Sequence, residues 1–236
     1  MRRFIYLPLA ALFTLIPAAA AQSGSFEVAQ HGHAVGTASF NFISTESGYA
    51  STSLVRVSMK GLDYALSKTE RLTAANELKH VQLSATVNGT AVNVTAAPDS
   101  AQFLLNISAN GRSTTTRLGA HAAAVFMPDF DPGALETLLA LAVARNNRDL
   151  WAILPKHTGS VAPVVVATYA DQLGTLDGKP IDVHHLVATI AGGTTELFSG
   201  PENQLLQAEL PQQGFALVRK GFVLSPPTKA QAPPAE

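Results

Sequence analysis

Apolar and polar side chains alternate with a period of two through most of this chain, and that pattern restricts the fold to antiparallel sheet. In residues 37–42, Ala38, Phe40 and Phe42 share one face while Thr37, Ser39 and Asn41 share the other. Residues 81–87 repeat the pattern, with Val81, Leu83, Ala85 and Val87 opposed by Gln82, Ser84 and Thr86. Asn88-Gly89 then supplies a two-residue type I′ turn, and Val92 and Val94 continue on the return strand. Phe103, Leu105 and Ile107 form a further inward row closed by Asn110-Gly111, with the polar run 113–116 as its solvated partner. Strands resume over 161–169, 173–176, 181–190, 194–198, 203–210 and 214–223. Asp177-Gly178, Gly192-Gly193 and the 211–214 segment are the expected turns between them.

One segment breaks this period. After Pro128, Asp131 is placed to cap free amide groups and Pro132 to occupy the first turn, where its missing N–H costs nothing. Residues 134–144 read ALETLLALAVA, all good or acceptable helix formers. Arg145 and Arg148 complement the dipole at the carboxyl end, so a helix is predicted over about 132–147. Leu135, Leu138, Leu139, Leu141 and Val143 leave only a thin stripe of Glu136, Thr137, Ala140 and Ala144 to face water. Exposing the leucines would cost roughly 1.5–3 kcal/mol each, so the helix must be covered on more than one side. Strands, one helix, then strands predict an α+β fold with the helix packed on a curved antiparallel sheet. A parallel α/β sheet would need several helices.

The first twenty-one residues have the layout of a secretory signal peptide: Arg2 and Arg3, an apolar run over 4–17, and small residues ending at Ala19-x-Ala21. The rival reading, an uncleaved anchor, has only 18 residues to cross a bilayer, interrupted by Pro8, Thr14 and Pro17. Export to the periplasm or medium is therefore expected, and the mature chain is not expected to span a membrane. It holds no cysteine, so neither a disulfide nor a thioether-linked lipid is available, and burial alone must hold the fold. Without Arg2 and Arg3, fourteen basic and seventeen acidic residues remain, net −3, which offers no field for nucleic acid. A charged fraction of 14% against 47% hydrophobic residues excludes a disordered chain. One β-rich domain is expected over 22–224, followed by a Pro-rich flexible tail over 225–236.

Both ends of that domain carry a likeness. The stretch FEVAQHGHAVGTASF over 26–40 resembles the first hairpin of a large set of uncharacterised secreted bacterial domains. LLQAELPQQGFALVR over 205–219 resembles their last. Their architecture is similar to lipoprotein carriers of the LolA and LolB type, which implies an unclosed β half-barrel around a helical plug. Such a half-barrel is lined with apolar side chains, and its helix either fills it or shares it with an acyl chain. Gly133, Thr137, Ala140 and Ala144 lie near one line at helical spacing and could leave a slot for such a ligand. The plainer reading is that small residues let the helix approach the strands closely. Candidate ligand contacts are Leu135, Thr137, Leu138, Ala140, Leu141, Ala144 and Trp151. Trp151, the one tryptophan, either stacks on a ligand or clamps the helix end against the sheet.

Chemistry at neutral pH would have to come from the seven histidines. His31-Gly32-His33 could place two imidazoles on one strand face, but no third ligand is visible and the glycines suggest a turn. His184 and His185 are adjacent on a strand and point to opposite faces. His80, His121 and His157 stand alone. No Gly-x-Ser-x-Gly, His-Glu-x-x-His or Ser-x-x-Lys box with its companion motifs is present. Asp129 and Asp131 are explained by capping. No catalytic residue, metal or cofactor is expected. The expectation is a non-enzymatic envelope protein binding a lipid or other apolar ligand between helix and sheet. The alternative is an interaction or structural module whose exposed sheet edges pair with an envelope partner. A weaker reading is a hydrolase of envelope glycans.

Overall fold

Where Asn-Gly, Asp-Gly or His-Gly separates two alternating segments, the chain reverses. The computed structural model describes residues 22–156 and 158–226. The expected signal segment, His157 and residues 227–236 of the expected tail lie outside the described residues. Eight strands come first: β1 (Gln22–Gln30), β2 (His33–Thr45), β3 (Gly48–Met59), β4 (Leu62–Leu72), β5 (Leu78–Val87), β6 (Thr90–Asp99), β7 (Gln102–Ala109) and β8 (Arg112–Gly119). Each runs antiparallel to the next. Three of their tips have the paired left-handed residues of a type I′ turn, among them Asn88 and Gly89 (φ 48° and 80°) and Asn110 and Gly111 (φ 51° and 70°). His31 and Gly32 (φ 49° and 79°) form the same turn, so His31 sits at a hairpin tip while His33 opens β2, and the two do not share a strand face.

Next come β9 (Ala124–Phe126), the helix α1 (Pro132–Ala144) and β10 (Leu150–Leu154). The chain closes with β11 (Ser160–Thr168), β12 (Gln172–Leu176), β13 (Lys179–Ile190), β14 (Gly193–Ser199), β15 (Leu205–Leu210), β16 (Phe215–Arg219) and β17 (Phe222–Leu224). A continuous ladder runs from β8 back to β1, crosses to β16, and follows β15, β14, β13 and β11 to β10 and β9. β12 and β17 extend the first half of β13 as a short second layer. All pairs are antiparallel except β9 with β10, which are parallel because the chain passes through α1 between them. β8 comes near the loop that leads into β11, with Thr116 Oγ1 donating to the Thr158 carbonyl at 2.7 Å. No ladder joins the two ends of the sheet among the described residues, so it is an open, curved wall. The fold is α+β, one helix on a large unclosed antiparallel sheet.

α1 lies inside that wall against β2, β3, β9, β10 and β15. Asp131 caps it, accepting from the Gly133 N–H at 2.9 Å, and Pro132 opens it. Leu138 and Leu141 are wholly buried and Leu139 nearly so, each contributing roughly 1.5–3 kcal/mol of apolar burial. Gly133 lets the start of the helix approach the strands closely. A Cβ there would stand 2.5 Å from Ser53 Oγ and 3.2 Å from Phe40 Cβ. No helix among the described residues is long and apolar enough to cross a membrane.

Four local expectations need correction. The helix stops at Ala144, not 147, because Asn146 and Asn147 take left-handed backbone (φ 50° and 59°). Arg145 is therefore the C-cap and pairs with Glu77 at 3.0 Å, leaving no basic residue in the last turn. Ala191-Gly192, not Gly192-Gly193, forms the β13–β14 tip, since Gly193 is already paired with Ile190. The expected strand 214–223 is divided into β16 and β17 by the turn at Lys220-Gly221.

Candidate functional site

Two cavities and one buried charged cluster lie against α1. The larger cavity, about 530 Å³, opens beside the start of the helix. Its walls come from Leu135, the 127–131 loop, Leu154 at the end of β10, and the β13–β14 and β15–β16 tips. Met127, Phe130, Ile190, Leu210, Phe215 and Leu217 make it mainly apolar. Phe130 has a left-handed backbone (φ 58°), an uncommon conformation for an aromatic residue. The conformation goes with edge-to-face packing of its ring on Phe215 (4.7 Å) and Tyr64 (6.0 Å). Burial, then the nearby Asp129 and Asp131, push the Tyr64 hydroxyl far above its ordinary range, so it stays neutral and donates weakly to the Asp129 carbonyl at 3.4 Å. At the rim, Lys156 pairs with Asp129 at 2.9 Å, both well exposed.

The smaller cavity, about 230 Å³, flanks the middle of α1 and is lined by Thr137, Ala140, Glu136, Gln22, Phe42 and Tyr49, among others. Glu136 is buried, which corrects its expected place on a water-facing stripe. One carboxylate oxygen accepts from the Leu205 N–H at 2.8 Å and the other from the Gln22 side-chain amide. Burial raises its pKa to about 7, and the Leu205 bond and Arg219 moderate the rise.

The charged cluster lies under the helix start. Lys68 and Glu70 alternate with Leu66 and Leu72 on the inward face of β4, and both are fully buried. Lys68 Nζ lies 2.6 Å from Asp131 Oδ2 and 3.2 Å from Glu70 Oε2. Burial opposes the Lys68 charge, but the two carboxylates outweigh it and hold its pKa above the ordinary value. Glu70 is raised, first by burial and then by Asp131, with Lys68 acting against both. Across the strand, Ser53 faces Lys68 and Ser51 faces Glu70, and both hydroxyls are buried without a hydrogen-bonding partner among the described residues.

Leu135 thus reaches the larger cavity, and Thr137 and Ala140 the smaller. Leu138 and Leu141 are packed core, and Ala144 is exposed. Thr137 is buried and its hydroxyl donates to the Gly133 carbonyl at 3.0 Å. Trp151 lies near neither cavity and stacks flat on His121, with centroids 3.6 Å apart. His184 and His185 do face opposite ways, His184 meeting Asp171 at 3.0 Å and His185 meeting Glu196 at 3.2 Å. No group of three or more His, Cys, Asp or Glu able to hold a metal occurs among the described residues. Lys68 and Glu70 went unnoticed in the sequence, although counting by two from Tyr64 and Leu66 places both inward. Comparison with known proteins gives no matching family model, no matching curated protein and no matching solved structure.

Proposed function

We propose that this is an exported, non-enzymatic envelope protein that holds an acyl chain or comparable apolar molecule in the cavity beside Leu135. The observation that carries the reading is a mainly apolar space of about 530 Å³, inside the range of about 300–1,000 Å³ usual for small-molecule sites. Its polar groups sit where a head group would emerge, with Lys156 and Asp129 at the rim and Gln212 and Thr194 beside them. An open β wall around an apolar helix, and the likeness of both chain ends to secreted domains of carrier-like architecture, add support. The signal-like layout of 1–21 supports export.

Native mass spectrometry of protein isolated from its own compartment tests this, with organic extraction to release any bound mass. Released apolar mass is expected for the wild type and for Ala140→Leu, which fills only the smaller cavity. Leu210→Trp, which fills the larger, should lose it. The reverse pattern would move the ligand to the slot beside Thr137 and Ala140. Wild-type protein that never carries apolar mass would sink the proposal.

A second reading, a module that adds a strand from an envelope partner, rests on β8. It pairs with β7 alone among the described residues and carries a mostly exposed Ser/Thr face. Loss of partner capture on placing proline at Thr115, with ligand binding intact, would favour it.

A further inference from the structure

We propose that Lys68 and Asp131 are joined by a spontaneous intramolecular amide bond, tying strand β4 covalently to the start of α1. The two groups that would join are already in contact as a buried ion pair, with Lys68 Nζ 2.6 Å from Asp131 Oδ2 and both side chains fully buried. Geometry held by two packed elements replaces a bimolecular encounter, the main obstacle to such a condensation. Burial removes the other obstacle. In water the separated ammonium and carboxylate are favoured by hydration, whereas in this core both ions are desolvated and a neutral amide is the better-tolerated product.

Two further groups complete the chemistry. The Gly133 N–H, 2.9 Å from Asp131 Oδ1, faces the oxygen on which negative charge develops when nitrogen attacks Cγ. Glu70 Oε2 stands 3.2 Å from Lys68 Nζ, and its Oε1 has no hydrogen-bonding partner among the described residues, so it can relay protons. Glu70 first carries one proton from the Lys68 ammonium to Asp131 Oδ2, leaving a neutral amine beside a neutral acid. Nζ then bonds to Cγ, the Cγ–Oδ2 bond breaks, and a second proton passes from nitrogen to Oδ2, which leaves as water. Glu70 ends as it began. Ammonium and carboxylate become one amide and one water, with no oxidant, reductant or activating group. The bond is independent of the ligand-binding reading.

Tryptic digestion of the denatured full-length protein, followed by tandem mass spectrometry, tests it. The expected result is one branched species containing the Lys68 and Asp131 segments, lighter by one water than the two together. Cleavage after Lys68 should also be lost. Recovery of both segments as linear peptides from folded wild-type protein would overturn the proposal, and that result needs no variant. Glu70→Gln, checked for folding by circular dichroism, keeps both reacting residues and should yield mostly unjoined peptides. A fully joined Glu70→Gln protein would overturn the proton relay assigned to Glu70.

Discussion

The two arms of the sheet are made differently, and they serve α1 differently. The N-terminal arm, β1–β8, is a run of consecutive hairpins with strands of 8–13 residues. The C-terminal arm, β10–β17, has strands of 3–12 residues and a short second layer, while register shifts occur in both arms, at Val28/Ala29 and Arg71/Leu72 in the first and at Phe198/Ser199 in the second. The N-terminal arm seals Lys68 and Glu70 beneath the helix start, both side chains being fully buried. It contributes only Leu62 to the larger cavity. The C-terminal arm ends its hairpins around the helix start and leaves space there. Around the helix start the long strands pack closely and the short hairpins of the other arm leave room for a ligand, whereas farther along α1 the N-terminal arm borders only the smaller cavity.

The largest effect should come from the N-terminal arm. Lys68→Ala leaves two carboxyl groups facing each other in a sealed core and also removes the proposed tie to Asp131, so it should cost at least about 3–5 kcal/mol, read as a lowered urea midpoint. Only a small loss would mean that water reaches the cluster and that the wall is not tight.

Glu136, where the N-terminal residues of β1 and the start of β15 meet on the helix, should make stability depend on pH. Its carboxyl titrates at about 7 in the folded chain against an ordinary 4.5, so between those values the native state holds a proton that the unfolded state releases. Stability should fall as pH rises through that window, by on the order of 3 kcal/mol, and then level off. Urea midpoints at about pH 5 and about pH 8 should differ less in Glu136→Gln than in the wild type. Glu70, raised in the same direction, leaves a residual slope in that variant.

Enlarged side chains sharpen the contrast between the arms. Ala96→Leu, at a buried site on β6, should cost about 1–3 kcal/mol through overpacking. Leu210→Trp also enlarges its side chain substantially but grows into the larger cavity, and should shift the midpoint by less than about 1 kcal/mol. Equal costs would show that the C-terminal arm is as tightly packed as the other.

What the sequence disclosed was local. The Asn88-Gly89 and Asn110-Gly111 tips, the Asp131 cap and the apolar helix each depend on a few adjacent residues, and each forms as expected. Glu136 was placed toward water because the groups that bury it lie 69 and 114 residues away, at Leu205 and Gln22. The parallel pairing of β9 with β10 depends on where α1 docks, which no alternation reveals. The larger cavity escaped for the same reason, since its walls gather from the 127–131 loop, Leu154 and two distant hairpin tips. Strand parity would place Lys68 and Glu70 inward, but no strand is predicted over 62–72, and their partner Asp131 could be named only after the fold brought the helix start over β4.

Hydrogen exchange read by mass spectrometry at pH 7 bears most directly on the claim that α1 is enclosed by an open β wall. The amides of Leu138, Leu139, Leu141 and Ala142 should exchange only with global unfolding, as slowly as the slowest strands of the N-terminal arm. Exchange within seconds at those four amides, while β3 and β4 stay protected, would mean that the helix is not enclosed and would contradict the account.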